Sequence, residues 1–165
     1  MHQMGMPNLP STETKEKRYR EAYEKITSML EGESDEVARM ASVSSILAGT
    51  FGHFYWTGFY RMVDGGLVVG PYQGTPGCLR IALDRGVCGA SASQKQTIIV
   101  PDTHAFPGHI ACDARSLSEI VVPVFDPERK LIAVLDVDCD QLEAFDDQDQ
   151  QGLERIVRAV FAEAE

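Results

Sequence analysis

Residues 118–139 read SEIVVPVFDPERKLIAVLDVDC. Two runs rich in Val, Ile and Leu flank Asp126-Pro127-Glu128-Arg129, which has proline at the second position, as a type I turn favours. The spacing predicts antiparallel strands over Ser118 to Phe125 and Lys130 to Asp138. Because alternate side chains of a strand share a face, Leu131, Ala133, Leu135, Val137 and Cys139 fall together and form a core face. The other face carries Ile132, Val134, Asp136 and Asp138, an apolar surface ending in two carboxylates about 7 Å apart. If the turn pairs Asp126 with Arg129, Glu119 lies opposite Asp136 on that second face. Three acids then converge where the hairpin leaves the core.

Outward from this hairpin, the chain alternates helix and strand signals. Residues 1–13, with Gly5, Pro7 and Pro10, lack periodicity and read as a flexible N-terminal arm, leaving residues 14–165 as one domain. Tyr19, Ala22, Tyr23, Ile26 and Leu30 place an apolar stripe on a helix from Thr14 to Leu30. A second helix, Asp35 to about Phe51, has Val37, Met40, Ala41, Leu47 and Ala48 as its inner face, with Ser44 on that stripe and Val43 at its edge. Phe54 to Val63 and Leu67 to Gln73 flank Asp64-Gly65-Gly66 and read as a hairpin. The stretch from Gly74 to Asp113 is irregular, with short strands at Leu79 to Leu83 and Thr97 to Val100 and a helix near Val87 to Gln94. So long an irregular segment within one domain usually carries function. Asp146 to Ala164 reads as a terminal helix whose buried stripe is Leu153, Ile156, Val157, Val160 and Phe161. The order predicts an α+β domain with helices on one face of a largely antiparallel sheet.

Composition narrows the function classes. The 165 residues carry 15 basic and 25 acidic side chains, a net charge of −10. Nucleic acid and anionic membrane surfaces are repelled by such a chain, so neither is an expected partner. Apolar runs reach only five or six residues, far below the roughly 20 of a membrane-spanning helix, and the N-terminal stretch lacks the apolar core of a secretory signal. The expected location is a reducing cytoplasm, where four cysteines are thiols with chemistry or plain core residues rather than standing disulfides.

Each cysteine has its own setting. Cys139 falls on the core face and reads as a buried hydrophobe. Cys78 follows Gly77 in a loop. Cys88 lies at the start of the short helix, where unpaired amides and Arg85 favour a thiolate. Cys112 is flanked by His109 and Arg115, which also favour a thiolate; taken singly, each loop thiol is open to a structural or a reactive reading. Structural zinc needs close ligand pairs, whereas nine residues separate Cys78 from Cys88 and twenty-three separate Cys88 from Cys112, so no metal site is expected. Asp136 and Asp138 read either as a strand end entering water or as part of a clustered site. Like charges placed together call for a cation, or keep one carboxyl protonated as a general acid. Trp56, the single tryptophan, reads as core packing or as one wall of a small-molecule pocket.

Longer motifs bring in a family. Gly70-Pro71-Tyr72-Gln73-Gly74, Cys78, Gly86-Val87-Cys88-Gly89, the run from Asp102 to Asp113 (DTHAFPGHIACD), Ser118-Glu119-Ile120-Val121 and Leu135-Asp136-Val137-Asp138 together closely resemble the free methionine-(R)-sulfoxide reductases, small GAF-domain enzymes. The resemblance runs from about Trp56 to the terminal helix. It implies a GAF-like six-stranded antiparallel sheet flanked by helices, a homodimer, and reduction of free methionine-(R)-sulfoxide. It also implies Cys112 as the attacking cysteine, Cys78 as the principal resolving cysteine and Cys88 as a supporting or alternative one. Glu119, Asp136 and Asp138 match the acidic pocket residues, and Trp56 the aromatic that packs on the substrate methyl group. No cofactor is implied; thioredoxin is the family's usual external reductant. The alternatives are a non-catalytic GAF module sensing a small ligand, a thiol redox switch, and a structural zinc module.

Overall fold

Six antiparallel strands form one sheet in the order β3-β2-β1-β6-β5-β4. They are β1 (Trp56–Val63), β2 (Gly66–Gln73), β3 (Arg80–Ile81), β4 (Ile98–Val100), β5 (Ser118–Phe125) and β6 (Leu131–Cys139). Among the described residues four α-helices complete the domain: α1 (Thr12–Met29), α2 (Glu36–Thr50), α3 (Gly86–Gln94) and α4 (Asp147–Val157). This computed structural model describes residues 9–109, 112 and 114–163. The first eight residues of the expected arm, and Ile110, Ala111 and Asp113 beside Cys112, lie outside the described residues. Leu9 packs against the core, and α1 begins at Thr12, capped by the Ser11 side chain.

The elements follow their local chemistry. Asp35 caps α2 by accepting from the Ala38 amide at 2.9 Å. Asp64 and Gly65 have φ of 50° and 80°, the left-handed pair a two-residue type I′ hairpin requires. Asp146 and Asp149 form a reciprocal capping box at the start of α4. Beyond Val157 the expected terminal helix widens into a π turn over Arg158–Ala162, and Ala164 is outside the described residues.

One face of the sheet is covered by α1, α2 and α4. Phe59, Ile120, Val122, Ala133, Leu135, Val137 and Cys139 meet Met40, Leu47, Leu153 and Ile156 there in a single apolar cluster. A buried polar tie joins α1 to α4. Lys15 Nζ donates to Asp149 Oδ2 at 2.6 Å and to the Ala144 carbonyl at 3.0 Å, while the Tyr19 hydroxyl donates to Asp149 Oδ1 at 2.6 Å. Among the described residues the opposite face is covered by α3 and the long connections, around Trp56, Tyr60, Leu67, Val87, Cys88, Val121 and Val134.

Three expectations are corrected. Val37 and Ala41 are exposed, because α2 is turned so that Met40, Val43, Ser44 and Leu47 face inward, with Ile46 on the flank; Ala41 is too small to fix the phase of a stripe. Glu119 pairs with Asp138 rather than Asp136, which faces Val121. The turn does close, with the Arg129 amide donating to the Asp126 carbonyl at 3.0 Å, but Arg129 takes φ 64° and the Asp126 amide then bonds to the Lys130 carbonyl at 2.9 Å. That residue and a second irregularity between Val124 and Phe125 shift the register by two, which preserves the face of Glu119. The same irregularity exchanges the strand's first two side chains: Leu131 joins the Trp56 cluster and Ile132 packs on the helix side.

Candidate active site

Strand parity positions the floor of a cavity on the α3 side of the sheet. Trp56 pairs with Asp138 and Gly58 with Asp136 across β1 and β6, and Glu119 pairs with Asp138 across β5 and β6. Trp56, Tyr60, Asp136, Asp138 and Glu119 therefore point the same way, and all five line the cavity with Cys88, Arg85, His109, Cys112 and Ser116. The acids are not at a strand end in water: Glu119 is 6% exposed and Asp136 5%.

The β2–β3 connection closes one wall over the indole. Trp56 Nε1 donates to the Thr75 carbonyl at 2.8 Å, and the ring stacks against Tyr60 and Tyr72. A Cβ at Gly77 would stand 3.0 Å from both Trp56 Cζ2 and the Tyr60 hydroxyl oxygen, so any larger residue would press the backbone before Cys78 against the aromatic wall. Cys78 is thereby held at the rim, where it forms a disulfide with Cys112, with 5.4 Å between the Cα atoms. Cys112 is exposed and Cys78 half-buried.

Electrostatics divide the site. Burial, and then the neighbouring Asp138 and Glu119 carboxylates, push the Asp136 carboxyl well above the usual range. Asp138 is raised for the same reasons, burial first and Glu119 second, although the Ser116 hydroxyl donates to its Oδ1 at 2.7 Å. Among the described residues Asp136 Oδ1 has no hydrogen-bond partner. Burial, followed by Asp136, holds the Tyr60 phenol far above its ordinary value, so it remains a proton donor. His109 Nε2 lies 3.6 Å from Glu119 Oε1, and the Arg115 guanidinium sits 5.0 Å from the Tyr55 ring centroid at the cavity mouth.

Cys88 overturns its expected chemistry. The thiol is buried at the floor, and burial together with Asp136, Glu119 and Asp138 raises its pKa well above an ordinary thiol. Local helix-terminus logic favoured a thiolate, but desolvation and three acids outweigh it. Cys88 Sγ and carboxylate oxygens of Glu119 and Asp136 lie within 4.8 Å of one another, an arrangement able to hold a cation. Cys139 is wholly buried on the helix side, as its parity predicts.

The fold thus brings together Cys78, Cys88, Cys112, Trp56, Glu119, Asp136 and Asp138. Tyr60, Tyr55 and Ser116 were missed. Tyr60 was legible, four residues beyond Trp56 on the same strand face; nothing in the sequence marks Ser116 as the partner of Asp138.

The antiparallel sheet, its helical layer and the pocket on the far face define a GAF-domain protein whose cavity is lined by thiols and carboxyl groups. A family model described as "GAF domain" matches residues 35–160. "Free methionine-R-sulfoxide reductase" of Escherichia coli is 42% identical over 129 residues, covering 78% of each chain. "GAF domain-containing protein A" of Dictyostelium discoideum is 42% identical over 146 residues, 88% of this chain and 91% of the relative. The X-ray structure of free methionine-R-sulfoxide reductase from Neisseria meningitidis in complex with its substrate superposes with a TM-score of 0.85 at 37% identity, over 97% of this chain and 93% of that one. The chain belongs to the GAF-domain family, in the branch of the free methionine-R-sulfoxide reductases.

Proposed function

We propose that this protein is an oxidoreductase that reduces free L-methionine-(R)-sulfoxide to methionine. The observation carrying the reading is the Cys78–Cys112 disulfide at the rim of a cavity floored by three carboxyl groups. A sulfoxide oxygen leaves poorly unless protonated, and burial together with neighbouring carboxylates raises the carboxyls of this cluster, which favours a proton held there.

In the reduced enzyme the Cys112 thiolate attacks the sulfoxide sulfur while a carboxyl of the Glu119 and Asp138 pair protonates the oxygen. Asp136 takes the substrate ammonium and Trp56 packs on the S-methyl group. The oxygen passes to Cys112 as a sulfenic acid and methionine leaves; the Cys78 thiol then displaces water from that sulfenic acid, giving the disulfide. Two thiols are oxidised and one sulfoxide is reduced. Cys88, held protonated, is poorly suited to be the first resolving thiol and acts in support. The exposed disulfide is within reach of an external dithiol, and thioredoxin in a reducing cytoplasm fills that role without a metal or organic cofactor. Burial of the substrate ammonium against Asp136 at the cavity floor disfavours a peptide-bonded residue, which restricts the substrate to the free amino acid. The working form is a homodimer.

The test is an NADPH, thioredoxin reductase and thioredoxin assay with separated epimers. Turnover is expected with the R epimer only. Cys112→Ser should abolish it, and Cys78→Ser should release about one equivalent of methionine and stall. Equal turnover of both epimers, or none with a correctly folded protein, would refute the reading.

A further inference from the structure

Two aspartates are buried on opposite sides of the sheet, Asp149 under the helices and Asp136 beside the Cys88 thiol. On the helix side, every oxygen of Asp149 is taken by Lys15, Tyr19 or a backbone amide. In the cavity, Asp138 is held by Ser116, yet Asp136 Oδ1, on a side chain only 5% exposed, meets no donor among the described residues. A buried carboxyl oxygen without a partner forfeits the hydrogen bonds it had in water, so the position is suited to an incoming group. What surrounds it is acidic, thiol or phenolic in character: Glu119, Asp138, Cys88 and the Tyr60 hydroxyl. The cationic or cation-capable side chains on the described lining are Arg85 and His109.

We infer that the oxidised protein binds one thiophilic divalent cation, of the zinc class, through Cys88 Sγ and the carboxylates of Glu119 and Asp136. The three donor atoms lie within 4.8 Å of one another. Ligand atoms around tetrahedral zinc are about 3.4–3.6 Å apart, so rotation of the two carboxylates closes the set. His109 Nε2, 3.6 Å from Glu119 Oε1, offers a further nitrogen donor at the rim. A soft thiolate among hard oxygens selects zinc, cobalt or cadmium over magnesium or calcium. Binding expels the thiol proton and any carboxyl proton as the S–metal and O–metal bonds form, and therefore tightens as pH rises. The occupied site would engage the same acids that the reaction needs, while the binding itself does not depend on the reductase reading.

The disulfide form provides a clean test, because Cys78 and Cys112 are tied up and the free thiols are Cys88 and the core residue Cys139. Metal-free oxidised protein is titrated with Co²⁺ and followed by near-ultraviolet absorption, where a thiolate bound to cobalt gives a charge-transfer band. One equivalent should produce the band, Zn²⁺ should bleach it, and a large excess of Mg²⁺ should not. Cys88→Ala should remove the band and Cys139→Ala should keep it. Asp136→Asn and Glu119→Gln should each weaken binding at least tenfold, which secures the test if Cys88→Ala folds poorly. Absence of the band, its survival in Cys88→Ala, or unchanged affinity in both carboxylate variants would overturn the site. These readouts involve no turnover, so a failed sulfoxide assay bears only on the proposed reaction.

Discussion

Asp149 and Asp136 are buried on opposite sides of one sheet and have been treated in opposite ways. Asp149 sits under the helices with an ammonium, a phenol and an amide on its oxygens. Asp136 sits over the sheet with two other carboxyl groups and a protonated thiol, and one oxygen unmet among the described residues. A buried charge that is fully paired fixes how two helices pack; a buried acid placed among its own kind costs stability and gains reactivity. The contrast separates the half of the domain that holds the fold from the half that performs chemistry.

The largest effect should come from breaking the paired side. Lys15→Met removes the ammonium from Asp149 and leaves a carboxylate with no exposed surface and one hydroxyl and one amide to serve it. The expected loss is about 3–5 kcal/mol in urea unfolding. A loss below about 1 kcal/mol would mean that water reaches Asp149 and that the comparison is misdrawn. Leu135→Ala, on the same helix side and wholly buried, should lose about 2–5 kcal/mol through a cavity that the packed helices cannot fill.

The hairpin shows how much of this was legible. Period-two alternation assigned Glu119, Asp136 and Asp138 to one face and Cys139 to the other, because a strand's parity survives any even slip. The pairing itself was not legible: left-handed Arg129 and the irregularity after Val124 each depend on how the turn seats against the sheet, and their sum moved Glu119 from Asp136 to Asp138. Lys15 was readable in principle, four residues before Tyr19 and seven before Ala22 on the buried stripe of α1, but a lysine there looks solvated until Asp149 is known to face it. The thiolate expected at Cys88 failed because a helix start is a local property, whereas burial beside three acids is set by residues thirty and more positions away in the chain.

Asp136→Asn should sharpen the comparison with the opposite sign. The native carboxyl is raised above its unfolded value of about 4. Between those values the native state binds more protons than the unfolded one, so unfolding free energy falls as pH rises through that window. The variant should be more stable than the parent at pH 8 and flatten that fall, with the raised Asp138 and Asp149 leaving a residual slope. Turnover should drop at the same time, the cost of losing the acid from the pocket. A variant destabilised at pH 8 would show Asp136 to be a structural anchor like Asp149.

Cys139→Ala should have the smallest effect, and its value lies in where the residue sits. It follows Asp138 directly, yet its side chain is wholly buried among the helix-side residues, while Asp138 lines the cavity. Removing the sulfur and leaving a small cavity there should cost about 1 kcal/mol of stability. Methionine sulfoxide turnover should stay within about twofold of the parent, because one step along a strand moves a side chain to the other side of the sheet. The check is a paired measurement of urea midpoint and turnover on the same preparation. A folded variant that keeps its midpoint and loses its turnover would place the sulfur in the chemistry, and would mean that the faces of β6 had been exchanged.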